Sequence, residues 1–130
     1  MTAPFRLLDL DHVVLRAREP ARLVAFYRDV LGCTLEREQP KFGLTQLRAG
    51  RSLIDVVDAT KARPAADGRN MDHFCLRVEP FDAGAIAAHL RAHGVEPGET
   101  GSRYGAEGEG PSIYLADPEG NVVELKGPPA

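Results

Sequence analysis

Asp9-Leu10-Asp11-His12-Val13-Val14-Leu15-Arg16 returns later in the chain as Asn70-Met71-Asp72-His73-Phe74-Cys75-Leu76-Arg77, a return that marks two similar halves. Each copy holds Asp-His, then alternating apolar residues, then Leu-Arg, and the histidines lie 61 positions apart (73 − 12). Alternation at period 2 predicts a strand in both places. In the first copy, spanning 8–16, Leu8, Leu10, His12 and Val14 share one face, and Asp9, Asp11, Val13 and Leu15 the other. Two halves that each open with a histidine-bearing strand can bring both imidazoles to one cleft, which points to a metal site.

Working outward, Pro20 suits the first turn of a helix, where its missing N–H is not needed. Leu23, Phe26, Tyr27, Val30 and Leu31 fall at i, i+3, i+4, i+7 and i+8, an apolar helical stripe that Gly32 ends. Strands are expected at about 33–39, 43–49 and 52–58, broken by Pro40-Lys41-Phe42-Gly43 and Ala49-Gly50-Arg51. Residues 59–70 are polar with Pro and Gly and read as a linker. The pattern then restarts: a strand at 71–78, and a helix at about 82–93 that turns Ile86, Ala87 and Leu90 inward and stops at Gly94. A strand near 95–100 precedes the glycine-rich stretch 101–110, read as a mobile loop. A strand at 111–116, the turn Asp117-Pro118-Glu119-Gly120 and a strand at 121–126 complete the half. Both halves are βαβββ, so the expected fold is α+β, one domain over 1–130 with modules at about 8–58 and 71–126.

Composition narrows the function classes. A 130-residue chain with 43% hydrophobic and 27% charged residues is large enough for an ordinary globular core. A formal net charge of −3 argues against nucleic acid or an anionic membrane as partner. The chain shows no apolar run of membrane-spanning length and no secretory apolar core at Met1-Thr2-Ala3-Pro4-Phe5-Arg6, so a cytoplasmic address is expected. Cys33 and Cys75 are the only cysteines and lack CxxC spacing, which disfavours a disulfide framework or a thiolate zinc site.

A metal site needs several ligands converging on one point. His12 and His73 open the halves, and the last strand of each half carries one acid amid apolar residues: Asp55 between Ile54 and Val56, Glu124 between Val123 and Leu125. An acid so placed needs a cation or another partner to be buried. Repeat symmetry sets Asp55 relative to His12 as Glu124 is set relative to His73. Two imidazoles with one or two carboxylates suit Zn²⁺, Ni²⁺, Fe²⁺, Mn²⁺ or Co²⁺ and leave positions for substrate.

The repeated halves, Leu10-Asp11-His12-Val13-Val14-Leu15, Phe26-Tyr27-Arg28-Asp29-Val30-Leu31-Gly32 and Tyr114-Leu115-Ala116-Asp117-Pro118-Glu119-Gly120-Asn121-Val122-Val123-Glu124-Leu125 resemble the vicinal oxygen chelate superfamily. That superfamily contains glyoxalase I, extradiol dioxygenases, methylmalonyl-CoA epimerase, and fosfomycin- and bleomycin-resistance proteins. The resemblance implies a cup-shaped mixed sheet and a divalent metal held by His12, His73, Glu124 and, at the fourth position, Asp55. Relatives usually carry Glu or Gln there. Aspartate is one methylene shorter, which leaves direct ligation, ligation through water, and service as a base all open.

The function implied is a lyase or isomerase of glyoxalase type. A substrate with two neighbouring oxygens chelates the metal, an enediolate or related oxyanion is stabilised, and Glu124 or Asp55 moves a proton. The alternatives are an Fe(II) extradiol-type dioxygenase, a fosfomycin-modifying enzyme (Ser112-Ile113-Tyr114 has some likeness to those) and a metal-free drug binder. Arg103, Tyr104 and Tyr114 are candidate substrate contacts, with Glu109 beside them; Gln46 and Arg48 carry little weight. Structural roles are expected for Asp11 and Asp72 (hydrogen bonds) and for Cys75 (packing), and a surface position for His89 and His93. A small-molecule substrate and a symmetric homodimer, its modules paired within one chain or swapped between two, complete the expectation.

Overall fold

The computed structural model describes residues 2–30, 32–61, 70–116 and 120–130. Among these residues the expected order βαβββ-βαβββ is present. The first half comprises β1 (Arg6–Ala17), α1 (Pro20–Ala25), β2 (Thr34–Gln39), β3 (Leu44–Ala49) and β4 (Ser52–Asp58). The second comprises β5 (Met71–Glu79), α2 (Ala83–Ala92), β6 (Thr100–Gly105), β7 (Gly108–Ala116) and β8 (Val122–Lys126). The fold is α+β with one mixed eight-stranded sheet, in which β2, β3, β4, β1 succeed one another, as do β5, β8, β7, β6. The expected linker falls mostly on 62–69 and the expected turn on 117–119, outside the described residues. Chain contacts separate His12–Asp72 from the other described residues, so the division falls inside β1.

In the unit His12–Asp72, β1 runs parallel to β4, while β3 is antiparallel to both β2 and β4. Residues of alternate parity build its core: Ala17, Cys33, Leu47 and Val56 are buried, with Leu23, Val24 and Tyr27 packed against them. The expected continuous helix over 20–31 is not formed. After six α-helical residues the backbone widens into a π-helical segment, Phe26–Val30. The extra residue per turn shifts the stripe out of phase. Tyr27 stays at the core while Val30, expected to face inward, is 65% exposed. Gly32 ends the segment at φ 86°, as the pattern predicted.

In the other unit, β5 runs parallel to β8, and β7 is antiparallel to β6 and β8. α2 starts where the Asp82 carboxylate accepts from the Ala85 N–H at 3.0 Å and ends at Gly94, φ 75°. Ile86 and Leu90 of α2 pack on Val78, Ile113, Val123 and Leu125. Two expectations fail here. Residues 95–99 precede the strand expected at 95–100, and the stretch expected to be a loop at 101–110 is a β-hairpin formed by β6 and β7. Two of its glycines, Gly105 and Gly110, permit close approach. A Cβ on Gly105 would collide with Asp11 Oδ1 and sit 2.8 Å from the Lys126 side chain, and one on Gly110 would sit 2.8 Å from the Pro128 carbonyl oxygen. Asp11 accepts from the Ala106 N–H at 2.9 Å, the structural role expected of it.

Candidate metal centre

Register decides which side chains share a face. In the second-half unit, Cys75 of β5 stands opposite Glu124 of β8, and Tyr114 of β7 is also paired with Glu124. Ser112 pairs with Lys126, and Arg103 of β6 with Gly110. Alternation therefore puts His73, Cys75, Arg77, Glu124, Lys126, Ser112, Tyr114 and Arg103 on one face, while Leu76, Val78, Ile113, Val123 and Leu125 face α2. The polar face is nonetheless buried: Glu124 and Lys126 are each 1% exposed. A sheet that buries apolar residues on one side and charged ones on the other must provide partners for the charges.

Those partners are visible. His73 Nε2 lies 3.1 Å from Glu124 Oε1, and the His73 and Tyr114 rings meet in a T-shaped contact with centroids 5.4 Å apart. Arg77 donates from Nε to Asp9 at 2.5 Å and approaches Asp11 at 3.7 Å. The hydrogen bond donated to Asp9, reinforced by the charges of Asp9, Asp11 and Glu107, raises the Arg77 pKa against the opposing effect of burial. Arg103 stacks over Tyr114, 4.4 Å from the ring centroid, and donates from Nη1 to Ser112 Oγ at 2.7 Å. Tyr104, with Glu109, alternates to the opposite face, so it does not share the Arg103 and Tyr114 surface.

The first-half unit repeats the offset. His12 stands opposite Leu53 and Val14 opposite Asp55, so Asp55 pairs with the residue two beyond His12, as Glu124 pairs with Cys75, two beyond His73. His12 and Asp55 are both buried. The acid is engaged differently, however. Gln46 of β3, directly opposite Asp55, donates from Nε2 to Asp55 Oδ2 at 3.1 Å. Gln46 was readable only as a residue of matching parity on a neighbouring strand, a signal too weak to distinguish it from Arg48. His89 is half-buried and His93 exposed on α2, their rings 4.6 Å apart.

The donor chemistry fits a divalent ion. Two ligands each about 2.1 Å from one ion, at tetrahedral to octahedral angles, lie roughly 3.0–3.4 Å apart, and the His73–Glu124 separation of 3.1 Å falls in that interval. His73 and Glu124 are therefore the pair in this unit that could share an ion.

Comparison with known proteins agrees with this fold. Among solved structures, a methylmalonyl-CoA epimerase from Mycobacterium tuberculosis superimposes with a TM-score of 0.67 at 21% identity, over 100% of this chain and 94% of that one. A Streptomyces coelicolor methylmalonyl-CoA epimerase in complex with 2-nitronate-propionyl-CoA gives 0.66 at 22%, over 96% and 100%. The Mn(II)-bound glyoxalase from Novosphingobium aromaticivorans gives 0.70 at 22%, over 91% of this chain and 37% of that one. The family model for the glyoxalase/bleomycin resistance protein/dioxygenase superfamily matches residues 9–125. With that match spanning both histidine-bearing strands and both acid-bearing strands, the chain belongs to the glyoxalase/bleomycin resistance protein/dioxygenase superfamily.

Proposed function

We propose that this protein is a divalent-metal-dependent isomerase or lyase acting on a small substrate with two neighbouring oxygens. His12, His73 and Glu124 hold the ion. The observation that carries the reading is the His73–Glu124 pair, ligand-spaced and buried on a polar sheet face. When bound, the ion supplies Lewis-acid polarisation of a substrate carbonyl, which acidifies the adjacent C–H. Glu124 anchors the ion, and Tyr114 fixes the His73 ring by its edge contact. Asp55 receives and returns the proton, its carboxylate plane set by the Gln46 amide. Methylmalonyl-CoA epimerases and a Mn(II)-bound glyoxalase among the structural neighbours support a proton-moving reaction and a divalent metal. A symmetric homodimer belongs to the same proposal, since Leu7, Leu8 and Leu10 of β1 leave apolar surface exposed. Among the described residues, no helix is long and apolar enough to cross a membrane.

The test has two arms. Elemental analysis of protein purified without an affinity tag should find close to one divalent ion per chain, lost in His73→Ala. Metal-restored protein should catalyse solvent deuterium exchange at the carbon beside a thioester or ketone carbonyl, followed by NMR. Absence of both metal and metal-dependent exchange would refute the reading.

A further inference from the structure

We infer that Arg103 is the receptor for a carboxylate on the substrate, separate from the oxygens that chelate the metal. This rests on the metal reading above. The polar sheet face carries three cations, and their environments differ. Arg77 is committed to Asp9 and Asp11 and is deeply buried. Lys126 is buried two residues along β8 from Glu124, opposite Ser112. Arg103 alone of the three is partly open, its side chain 24% exposed.

The guanidinium is held without being consumed. Its carbon lies over the Tyr114 ring, and one of its N–H groups is donated to Ser112 Oγ. The acid nearest to it, Glu99, stands 3.8 Å away, beyond hydrogen-bond reach, and is 88% exposed in water. An arginine kept only for charge balance would be paired as Arg77 is. A stacked, once-anchored guanidinium instead keeps most of its donor fork in a fixed orientation, the arrangement that suits a planar carboxylate.

Position completes the argument. The Tyr114 ring contacts both groups: the guanidinium carbon lies 4.4 Å from its centroid, and the His73 ring 5.4 Å from it at an interplanar angle of 85°. A ligand bound at His73 and Glu124 therefore has Arg103 one aromatic ring away. A short spacer of about two methylenes would bring a second anionic group to it. Lys126 adds positive potential on the same face. The substrate class that results has vicinal oxygens at one end and a carboxylate at the other.

Two chelating probes separate this from the metal reading. Acetohydroxamate offers only a bidentate oxygen pair; N-hydroxysuccinamate offers the same pair plus a carboxylate two methylenes away. Calorimetric titration of Mn(II)-loaded wild-type protein should show N-hydroxysuccinamate binding about tenfold more tightly, the size expected of a charge-assisted hydrogen-bonded pair. Arg103→Gln should abolish that preference while leaving Mn(II) affinity and acetohydroxamate binding unchanged, which also shows that the variant is folded. Arg103→Lys should retain only part of it. Equal binding of the probes by wild type, or a preference that survives in Arg103→Gln, overturns the carboxylate receptor and leaves the metal site standing. Failure of both probes to bind wild type overturns the metal reading and, with it, this inference.

Discussion

The two βαβββ units share register but use their acids differently, and the difference comes from one methylene and one neighbour. In each, the acid pairs with the residue two beyond the histidine on a parallel strand. Glu124, the longer acid, reaches its histidine at 3.1 Å. Asp55, the shorter one, meets an amide on the adjoining strand. The strand facing the acid also differs: β3 presents Gln46, and β7 presents Tyr114, which packs against the histidine ring. A duplicated frame therefore supplies equivalent positions, and side-chain length sends one acid to its histidine and the other to an amide, the division on which the proposed roles rest.

The sharpest way to break this comparison is to remove one acid at a time. Glu124→Ala should lower metal affinity by about 100-fold or more, because even the outer partners of ligands are worth roughly 10–100-fold. Asp55→Ala should leave the affinity within about threefold of wild type while abolishing proton exchange. Isothermal titration with Mn(II) or Zn²⁺ compares the two directly. Equal losses would mean that both acids ligate and that the asymmetry is not functional.

A second prediction compares the hairpins. Gly105 of β6 has Asp11 and the Lys126 side chain where its Cβ would be, whereas Gly50, between β3 and β4, has open space and φ 64°. Gly105→Ala forces a close backbone-to-carboxylate approach apart and should cost about 1–3 kcal/mol. Gly50→Ala meets only the left-handed backbone penalty, about 1–2 kcal/mol. Urea unfolding of the two variants ranks them. A Gly105→Ala protein as stable as wild type would mean that the hairpin does not depend on this approach.

These cases also show what can be read from sequence in such a fold. The repeat of Asp-His strands and the parity of Asp55 and Glu124 sufficed for the βαβββ order, because alternation and turn residues are local signals. The candidate ligands followed, since buried acids and histidines are rare at matching positions. The β6–β7 hairpin was not legible: Gly105 and Gly110 look like loop residues until Asp11, Lys126 and Pro128 are known to lie against them. The π-helical segment at Phe26–Val30 escaped for a related reason. Periodicity at 3.6 fits the apolar residues of that stretch, whereas the placement of Tyr27 against the core of Ala17, Cys33, Leu47 and Val56 is tertiary information. Gln46 was undervalued because a hydrogen bond across strands depends on register.

The smallest expected effect lies at the ends of the acid-bearing strands, where the units diverge again. β8 ends in the buried Lys126, whereas β4 ends in Asp58, whose carboxylate closes a turn by accepting from the Thr60 hydroxyl at 2.6 Å and the Thr60 N–H at 2.9 Å. The hydroxyl bond foremost, then the amide bond, lower the Asp58 pKa from its ordinary 3.8; desolvation opposes them, and the charge of Lys61 adds the smallest lowering. A carboxyl whose pKa is lowered by folding contributes stability that is fully present above its unfolded value and is lost as pH falls through the folded one. Stability should therefore decline below about pH 4 partly through this turn. Thr60→Val removes the leading cause while keeping the amide bond, so its melting temperature should fall less steeply with acid than that of wild type. Asp58 is fully exposed, which keeps the difference small. Parallel acid profiles for the two proteins would show that the turn contributes nothing to the pH dependence.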